Sequence, residues 1–435
     1  MSIRVLLLVV AGLISPTAVR AQFLFVDCSG TNPAAYPTIN SALPFAGPGA
    51  FIAVINTCNE NVNLYDFNNL TIAGEPANIV GGIGIINSQV ISLYGLNITN
   101  ASGHGVYVQG SHSIVLDSCS SSGNGGDGLN VNQSSDVTVN AQGTFNNNIA
   151  NGISVYNSSF VNVFSFAGVT DISNNQTAAV RNGAFFATLG NTHMANNANV
   201  PNNGTGLRVA IDMRGGARAQ IGAVFGSNII ENNPNGGVSL QEDAEISFFS
   251  LSSSGPDIVR NNGPFGIEAG FGSQVTLAGA QITGHTGPGV DIYGHSQLYG
   301  TSQLSGLSAT QIVGNGTAGD SLSAAIRVDG NSEVLLRGVT ISQTNGPAIL
   351  ALVNSSADFA GGTFSGNAGV ITCDSSSIMV SDLAANASTP AAGVSCRTPH
   401  SLGNRVVRMP TPAVPDMTSW KKMHSDFQRR LATKK

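Results

Sequence analysis

Couplets of a small residue followed by an aliphatic one punctuate the chain. They stand at Gly105-Val106, Gly128-Leu129, Gly152-Ile153, Ala179-Val180, Gly206-Leu207, Gly237-Val238, Gly266-Ile267, Gly289-Val290, Ala325-Ile326, Ala348-Ile349 and Gly369-Val370, 21 to 36 residues apart. Past each anchor the apolar positions fall in three pairs, at one and three, nine and eleven, and fourteen and sixteen residues. From Gly266 these are Ile267 and Ala269, Val275 and Leu277, then Ala280 and Ile282; from Ala325 they are Ile326 and Val328, Val334 and Leu336, then Val339 and Ile341. A spacing of two puts both members of a pair on one side of an extended strand. Each repeat therefore predicts three short strands, none able to bury its apolar side alone. Stacking the repeats as turns of a solenoid solves that problem. Turns about 4.8 Å apart build three parallel sheets around an apolar interior. Cys119, fourteen residues past Gly105, falls inward as a buried thiol.

The polar positions carry a second pattern. Asn124, Asn148, Asn175, Asn202, Asn233 and Asn262 each stand four residues before an anchor, and His285 takes that place in the next repeat. Stacked amides hydrogen-bond from turn to turn, so the column predicts an asparagine ladder. The residue two past each anchor points outward between two inward neighbours. Up the stack this outward column reads Tyr107, Asn130, Ser154, Arg181, Arg208, Ser239, Glu268, Asp291 and Arg327. Four past the anchor come Asn132, Tyr156, Gln241, Tyr293 and Asp329.

Composition narrows the class. Charged residues are 10% of 435, and all four Lys follow residue 420. Exposed helix faces need more charge than that, which argues against a helical protein. The net charge of −6 argues against a nucleic-acid partner, and 42% hydrophobic content exceeds that of a disordered chain. Arg4, the apolar run Val5 to Ile14 and Val19-Arg20-Ala21 read as a signal peptide, residues 1–21, cleaved near Ala21. That run is too short to span a bilayer, and no later segment reads as a transmembrane helix. The expected location is secreted or periplasmic. Five Cys suit an oxidising compartment, with Cys28–Cys58 and Cys373–Cys396 the preferred local bridges among several compatible pairings. Residues 22–396 carry 22 acidic and 7 basic side chains, whereas 397–435 carry 2 and 9. That basic tail has Pro410, Pro412 and Pro415, then a possible amphipathic helix from Met417 to Leu431. Its candidate contacts are an anionic surface or the acidic body.

The repeat resembles the right-handed parallel β-helix proteins of the pectin-lyase-like superfamily. The resemblance extends to Tyr36-Pro37-Thr38-Ile39 leading to Ala42-Leu43, then Phe51 to Ile55, Glu60-Asn61-Val62 and Asn69-Leu70-Thr71-Ile72. It implies an all-β solenoid over about residues 24–396 with a short N-terminal capping helix. It is specific for fold and not for activity. Gly103-His104-Gly105 resembles a polygalacturonase motif, but the paired Asp and the Arg-X-Lys of that pattern are missing. Asp291-Ile292-Tyr293-Gly294 is only a faint echo of a pectin methylesterase segment.

The outward column concentrates the scarce charges. Glu268 and Asp291 fall on adjacent turns, a spacing that suits the two carboxyls of a retaining glycosidase or a calcium site. Tyr293 can stack on a sugar, Arg327 can hold a carboxylate with both arms of its fork, and Asp329, Arg181 and Arg208 complete the candidate substrate contacts. The 36-residue interval from Gly289 to Ala325 is either an extra turn or a loop, and as a loop residues 293–320 would overhang this face. The leading expectation is a secreted protein that binds extracellular polysaccharide along one sheet face. A polysaccharide lyase or glycoside hydrolase using Glu268 and Asp291, and a non-enzymatic adhesin or stalk, are the alternatives. No metal site is expected from the seven His, although calcium remains a possible cofactor.

Overall fold

The computed structural model describes residues 22–381 apart from 167, 199–208 and 321. The chain winds as a right-handed parallel β-helix with sheets of 17, 13 and 8 strands. The turn that begins at Gly266 is typical. Its strands Ile267–Ala269, Gln274–Ala278 and Ala280–Thr283 pair in parallel with Val290–Ile292, Gln297–Thr301 and Gln311–Val313 of the next turn. All twelve inward residues expected for the Gly266 and Ala325 turns are fully buried. Each large aliphatic side chain so buried contributes about 1.5–3 kcal/mol, which is how strands of three to five residues persist.

The anchors are small because the next turn occupies the space beside them. A Cβ on Gly128 would lie 2.7 Å from the Gly152 carbonyl oxygen and 2.8 Å from the Asn148 amide nitrogen. The anchor is thus a consequence of the ladder. Two register assignments are corrected. Val180 pairs with Ile211 and Arg181 with Asp212, so Ala179 is a true anchor and Ala210, not Gly206, is the next one. Val209 to Met213 carries the alternation that continues Val180 and Asn182; Gly206-Leu207 only copies the couplet. Arg208 lies outside the described residues, and Asp212 holds its expected place in the column. At the far end Ile349 pairs with Ile371, which puts Val370 rather than Gly369 in the anchor place.

Two side-chain ladders hold the corners. In the column Asn124, Asn148, Asn175, Asn197, Asn233 and Asn262, each of the first five donates an amide N–H to the next member's Oδ1 at 2.7–3.2 Å. Asn197 stands where Asn202 was expected, for the same insertion shifts the register. The backbone N–H of each donor residue reaches the same oxygen. His285 continues the column: its Nδ1 accepts from the Asn262 N–H at 3.2 Å and its Nε2 lies 3.2 Å from the Val259 carbonyl. Its own N–H donates to Asn315. The second ladder, of serines, links Ser88, Ser111, Ser135 and Ser159, then Ser273, Ser296, Ser332 and Ser355, through backbone N–H to Oγ bonds of 2.9–3.3 Å.

The N-terminal end is closed by the expected helix, Ile39–Ala42, capped by Thr38. The Glu60 carboxylate accepts from the Ile39 and Asn40 N–H groups at 2.6 and 3.0 Å. Cys28 and Cys58 form a disulfide there. Cys373 is disulfide-bonded as well, and Cys396 lies outside the described residues. Cys119 is free and buried, its thiol pushed up to about 12 chiefly by burial. Residues 1–21 and the tail 397–435 also lie outside the described residues. Among the described residues no helix is long and apolar enough to cross a membrane.

Two buried titratable groups act on stability in opposite directions. Burial lowers the His285 pKa below its ordinary value near 6.5, so the unfolded chain binds a proton that the native ladder refuses. The stability so maintained is present above about pH 6.5 and lost as the pH falls. Asp257, fully buried against Ser250 and Asn228, is pushed up to about 7 by burial. The native state holds that proton between the ordinary carboxylate value near 4 and about pH 7, so stability falls as pH rises through that window. In thermal melts from pH 5 to 8, His285→Asn is expected to raise Tm at pH 5 more than at pH 8. Asp257→Asn is expected to raise it at pH 8 relative to pH 5. Parallel pH profiles for either variant and the parent chain would refute the assignment.

Candidate functional site

The outward column of the 13-stranded sheet is continuous in the register expected, with Asp212 in place. Asn130, Ser154, Arg181, Asp212, Ser239, Glu268, Asp291 and Arg327 follow as direct neighbours. The Asp291–Arg327 pairing resolves the 36-residue interval as loops rather than an extra turn. One loop, 302–310, packs away from this face: Ser252 N–H donates to the Gly306 carbonyl and Ser308 N–H to the Ser250 carbonyl. The segment 316–323 instead leads into strand Ile326–Val328, and its Asp320 is close enough to feel the Arg327 charge.

Five residues form two hydrogen-bonded groups at the centre. Arg327 grips Asp291 with its fork, Nε to Oδ1 at 2.8 Å and a terminal nitrogen to Oδ2 at 2.7 Å. Tyr293 donates its hydroxyl to Glu268 Oε1 at 2.7 Å, while Gln241 donates to the Tyr293 oxygen at 2.9 Å. The tyrosine thereby spans two turns. It does so across Gly270, where any Cβ would collide with its ring. Asp329, four past its anchor, is near enough for its charge to act on Asp291.

Burial dominates the electrostatics. Asp291, whose side chain is 10% exposed, is pushed up to about 6 by desolvation, against the pull of Arg327. Glu268 is raised by burial too, opposed by the Tyr293 hydroxyl and Arg327. Tyr293 is pushed up to about 12 by burial and by Glu268. Both Asp291 oxygens are engaged by the guanidinium, so calcium on this carboxylate would first have to displace Arg327. Among the described residues one trio of His, Cys, Asp or Glu ligand atoms comes within 4.8 Å, Cys28, Cys58 and Glu60. Its sulfurs are oxidised to a disulfide and its carboxylate caps the helix.

Phe271 completes the centre and was missed by the column reading, since it lies past the strand. It is 61% exposed, meets Tyr293 edge-on with ring centroids 5.6 Å apart, and has φ of 54°. A bulky aromatic residue in the left-handed region, facing water, is costly twice over. The sequence signal available was Phe271-Gly272 just past the strand that carries Glu268. Arg181 is exposed on the same column, separated from this centre by Asp212 and Ser239.

No described protein family and no curated protein matches the chain. Solved structures do resemble it. Pectate lyase Pel9A is 11% identical, with 75% of this chain and 78% of that one covered at a TM-score of 0.42. The A-module of the Azotobacter vinelandii mannuronan C-5 epimerase AlgE4 is 11% identical, covering 81% and 87% at 0.33. A Yersinia enterocolitica family 28 exopolygalacturonase is 10% identical, covering 83% and 78% at 0.24. Likeness at this level says nothing of the chemistry of the face.

Removing the guanidinium would strand a buried carboxylate. Arg327→Met is expected to destabilise the fold by about 3 kcal/mol at pH 8. The loss should shrink at pH 5, where Asp291 takes up a proton, and in the double variant with Asp291→Asn. Denaturant unfolding at the two pH values measures this, and an equal loss at both would contradict it.

Proposed function

We propose that this β-helix binds an extracellular polysaccharide along the outer face of its 13-stranded sheet, centred on Phe271, Tyr293 and Glu268. The observation that carries the reading is Phe271. Its left-handed backbone is the corner geometry that most turns adopt five past the anchor, but its ring is 61% exposed and presents a flat apolar surface beside a carboxyl, a phenol and an amide. A sugar ring has the matching character, apolar C–H faces rimmed by hydroxyls. Asp329 and Arg181 flank this centre and are proposed as outer contacts. Extended binding suits the solenoid, because each turn repeats the face at a strand spacing. The Cys28–Cys58 disulfide accords with an oxidising compartment outside the cytoplasm.

Catalysis is the second reading, and one observation favours it. Burial raises the Glu268 carboxyl, against the Tyr293 hydrogen bond that positions it, and a raised carboxyl can serve as a general acid. Asp291 is poorly suited to the nucleophile's part, for its two oxygens are held by Arg327. A lyase or hydrolase on this face would therefore lean on Glu268.

Affinity electrophoresis against neutral and acidic polysaccharides tests binding. Retardation is expected with at least one polymer, and Phe271→Gly is expected to weaken it about tenfold or more, the scale of an aromatic hot spot. The same variant should fold as stably as the parent or better, because Gly accepts a positive φ without strain. Unchanged retardation in Phe271→Gly would overturn the reading. New reducing ends, with or without the ultraviolet absorbance of unsaturated uronates, would establish turnover. Glu268→Gln is then expected to abolish it, while full activity in that variant would dismiss the acid.

A further inference from the structure

Three strand spacings from Glu268, in the same outward column, stands Arg181. Residues 22–396 carry 22 acidic side chains against 7 basic ones, so carboxylates are in excess. Five of the six described arginines pair with one: Arg214 with Asp212, Arg218 with Glu245, Arg260 with Glu231, Arg327 with Asp291 and Arg337 with Asp358. Arg181 is the exception. It is exposed and has no ion-pair or hydrogen-bond partner among the described residues. Want of a neighbour does not explain this, since Asp212 lies one strand spacing away. Asp291 and Arg327 are adjacent in the same column too, and they grip each other.

The difference lies in Arg214, two residues past Asp212. Its Nε donates to Asp212 Oδ1 at 3.1 Å, and Asp212 itself is buried. Arg214 thus bends back toward the column of Arg181, with its own side chain 40% exposed. Two guanidinium groups therefore flank one carboxylate, and the cluster keeps a net positive charge on an acidic body. Tyr156 closes the other side. Its ring lies over Gly183, where a Cβ would come within 3.2 Å of it, and its hydroxyl feels the Arg181 charge. Tyr293 lies over Gly270 in the same way, beside Glu268. The face thus uses one device twice, an outward tyrosine laid across a glycine, with a cation beside one and a carboxyl beside the other.

Charge around Phe271 has the opposite sign. Glu242 and Asp243 are exposed on the turn before it, and the Asp243 carboxylate lies against Gly272, next to Phe271. Glu268 and Asp329 add to them, while Arg327 is held by Asp291. An acidic sugar at Phe271 meets this repulsion, and a neutral ring does not. A guanidinium fork, by contrast, matches a carboxylate or a sulfate in both charge and shape. We infer that Arg181, supported by Arg214 and Tyr156, binds an anionic substituent of the glycan, a carboxylate or a sulfate, while the Phe271 centre takes a neutral sugar. The inference rests on the polysaccharide reading and gives it a charge pattern. Three strand spacings of about 4.8 Å set the two places about 14 Å apart, so the ligand carries its anionic groups at intervals and not on every ring.

The experiment uses the full chain with a soluble β-glucan, a dextran and a mannan, read by calorimetry. Each polymer is tested unmodified, lightly and heavily carboxymethylated, and lightly and heavily sulfated. Light substitution is expected to tighten binding about tenfold over the neutral parent polymer, the scale of a charge-assisted contact, and heavy substitution to weaken it again. A gain in either series supports the subsite, and the larger gain identifies the oxyanion. Arg181→Gln should bind lightly substituted and neutral forms alike, whereas Phe271→Gly should weaken both. Binding by the parent chain with no gain in either series, or with a gain that Arg181→Gln keeps, overturns the subsite while sparing the binding reading. Tightest binding by the heavily substituted forms overturns the charge pattern. If the parent chain binds no polymer, both readings fall together. Should Arg181→Gln fail to fold, salt decides on the parent chain. The gain then fades at high ionic strength while neutral binding holds, and a gain indifferent to salt refutes the subsite.

Discussion

Every turn of this solenoid must pass corners where the backbone leaves one sheet before joining the next. Backbone N–H groups there have no sheet partner and little water, and an unmet buried donor costs as much as a lost hydrogen bond. The asparagine and serine ladders answer that constraint. Each ladder side chain serves the turn before it and is served by the turn after it. The small anchors follow from the crowding beside those amides, and the outward column follows from the anchors. The face that bears Glu268, Asp291 and Arg327 is in register because the corners are.

The face itself runs against the economy of the rest. A chain with few charged residues buries Asp291 under a guanidinium fork and sets Glu268 beneath a tyrosine. Such arrangements are weak contributors to stability, since desolvation consumes most of the Coulombic gain. Their value lies in holding groups in fixed positions, and Gly270 is the clearest sign of that. The missing side chain there serves the ring of Tyr293, which reaches across it to Gln241.

Much of the architecture was legible in the sequence because period and alternation are global properties, robust to any single residue. Three strands per turn, the inward set and the capping helix follow from repetition or from resemblance, and the Cys28–Cys58 bridge from the nearness of the two cysteines along the chain. Local copies of a motif mislead where an insertion falls: Gly206-Leu207 and Asn202 fit their columns as well as Ala210 and Asn197 do. Only the pairing of Val180 with Ile211 decides. The serine ladder was hidden by abundance, as Ser fills too many places for one column to stand out. Phe271 was hidden because the corner position five past the anchor is filled by Gly, Gln, Asn, Glu or Val in other turns, and no periodicity singles out an aromatic ring there. The column of Glu268, Asp291, Tyr293 and Arg327 could be read, but which atoms grip which could not, since that depends on side-chain torsions.

The asparagine column also has a direction. From Asn124 to Asn233 each amide donates one N–H toward the later turn, and His285 preserves that sense by accepting at Nδ1 and passing its own backbone N–H onward. The aligned amide dipoles make the solenoid polar along its length, as hydrogen-bonded chains that reinforce one another are. A string of this kind can be prolonged only head to tail. The string begins where the Ala101 N–H meets Asn124, several turns in from the end that the Ile39–Ala42 helix closes, so its polarity is kept within the solenoid there.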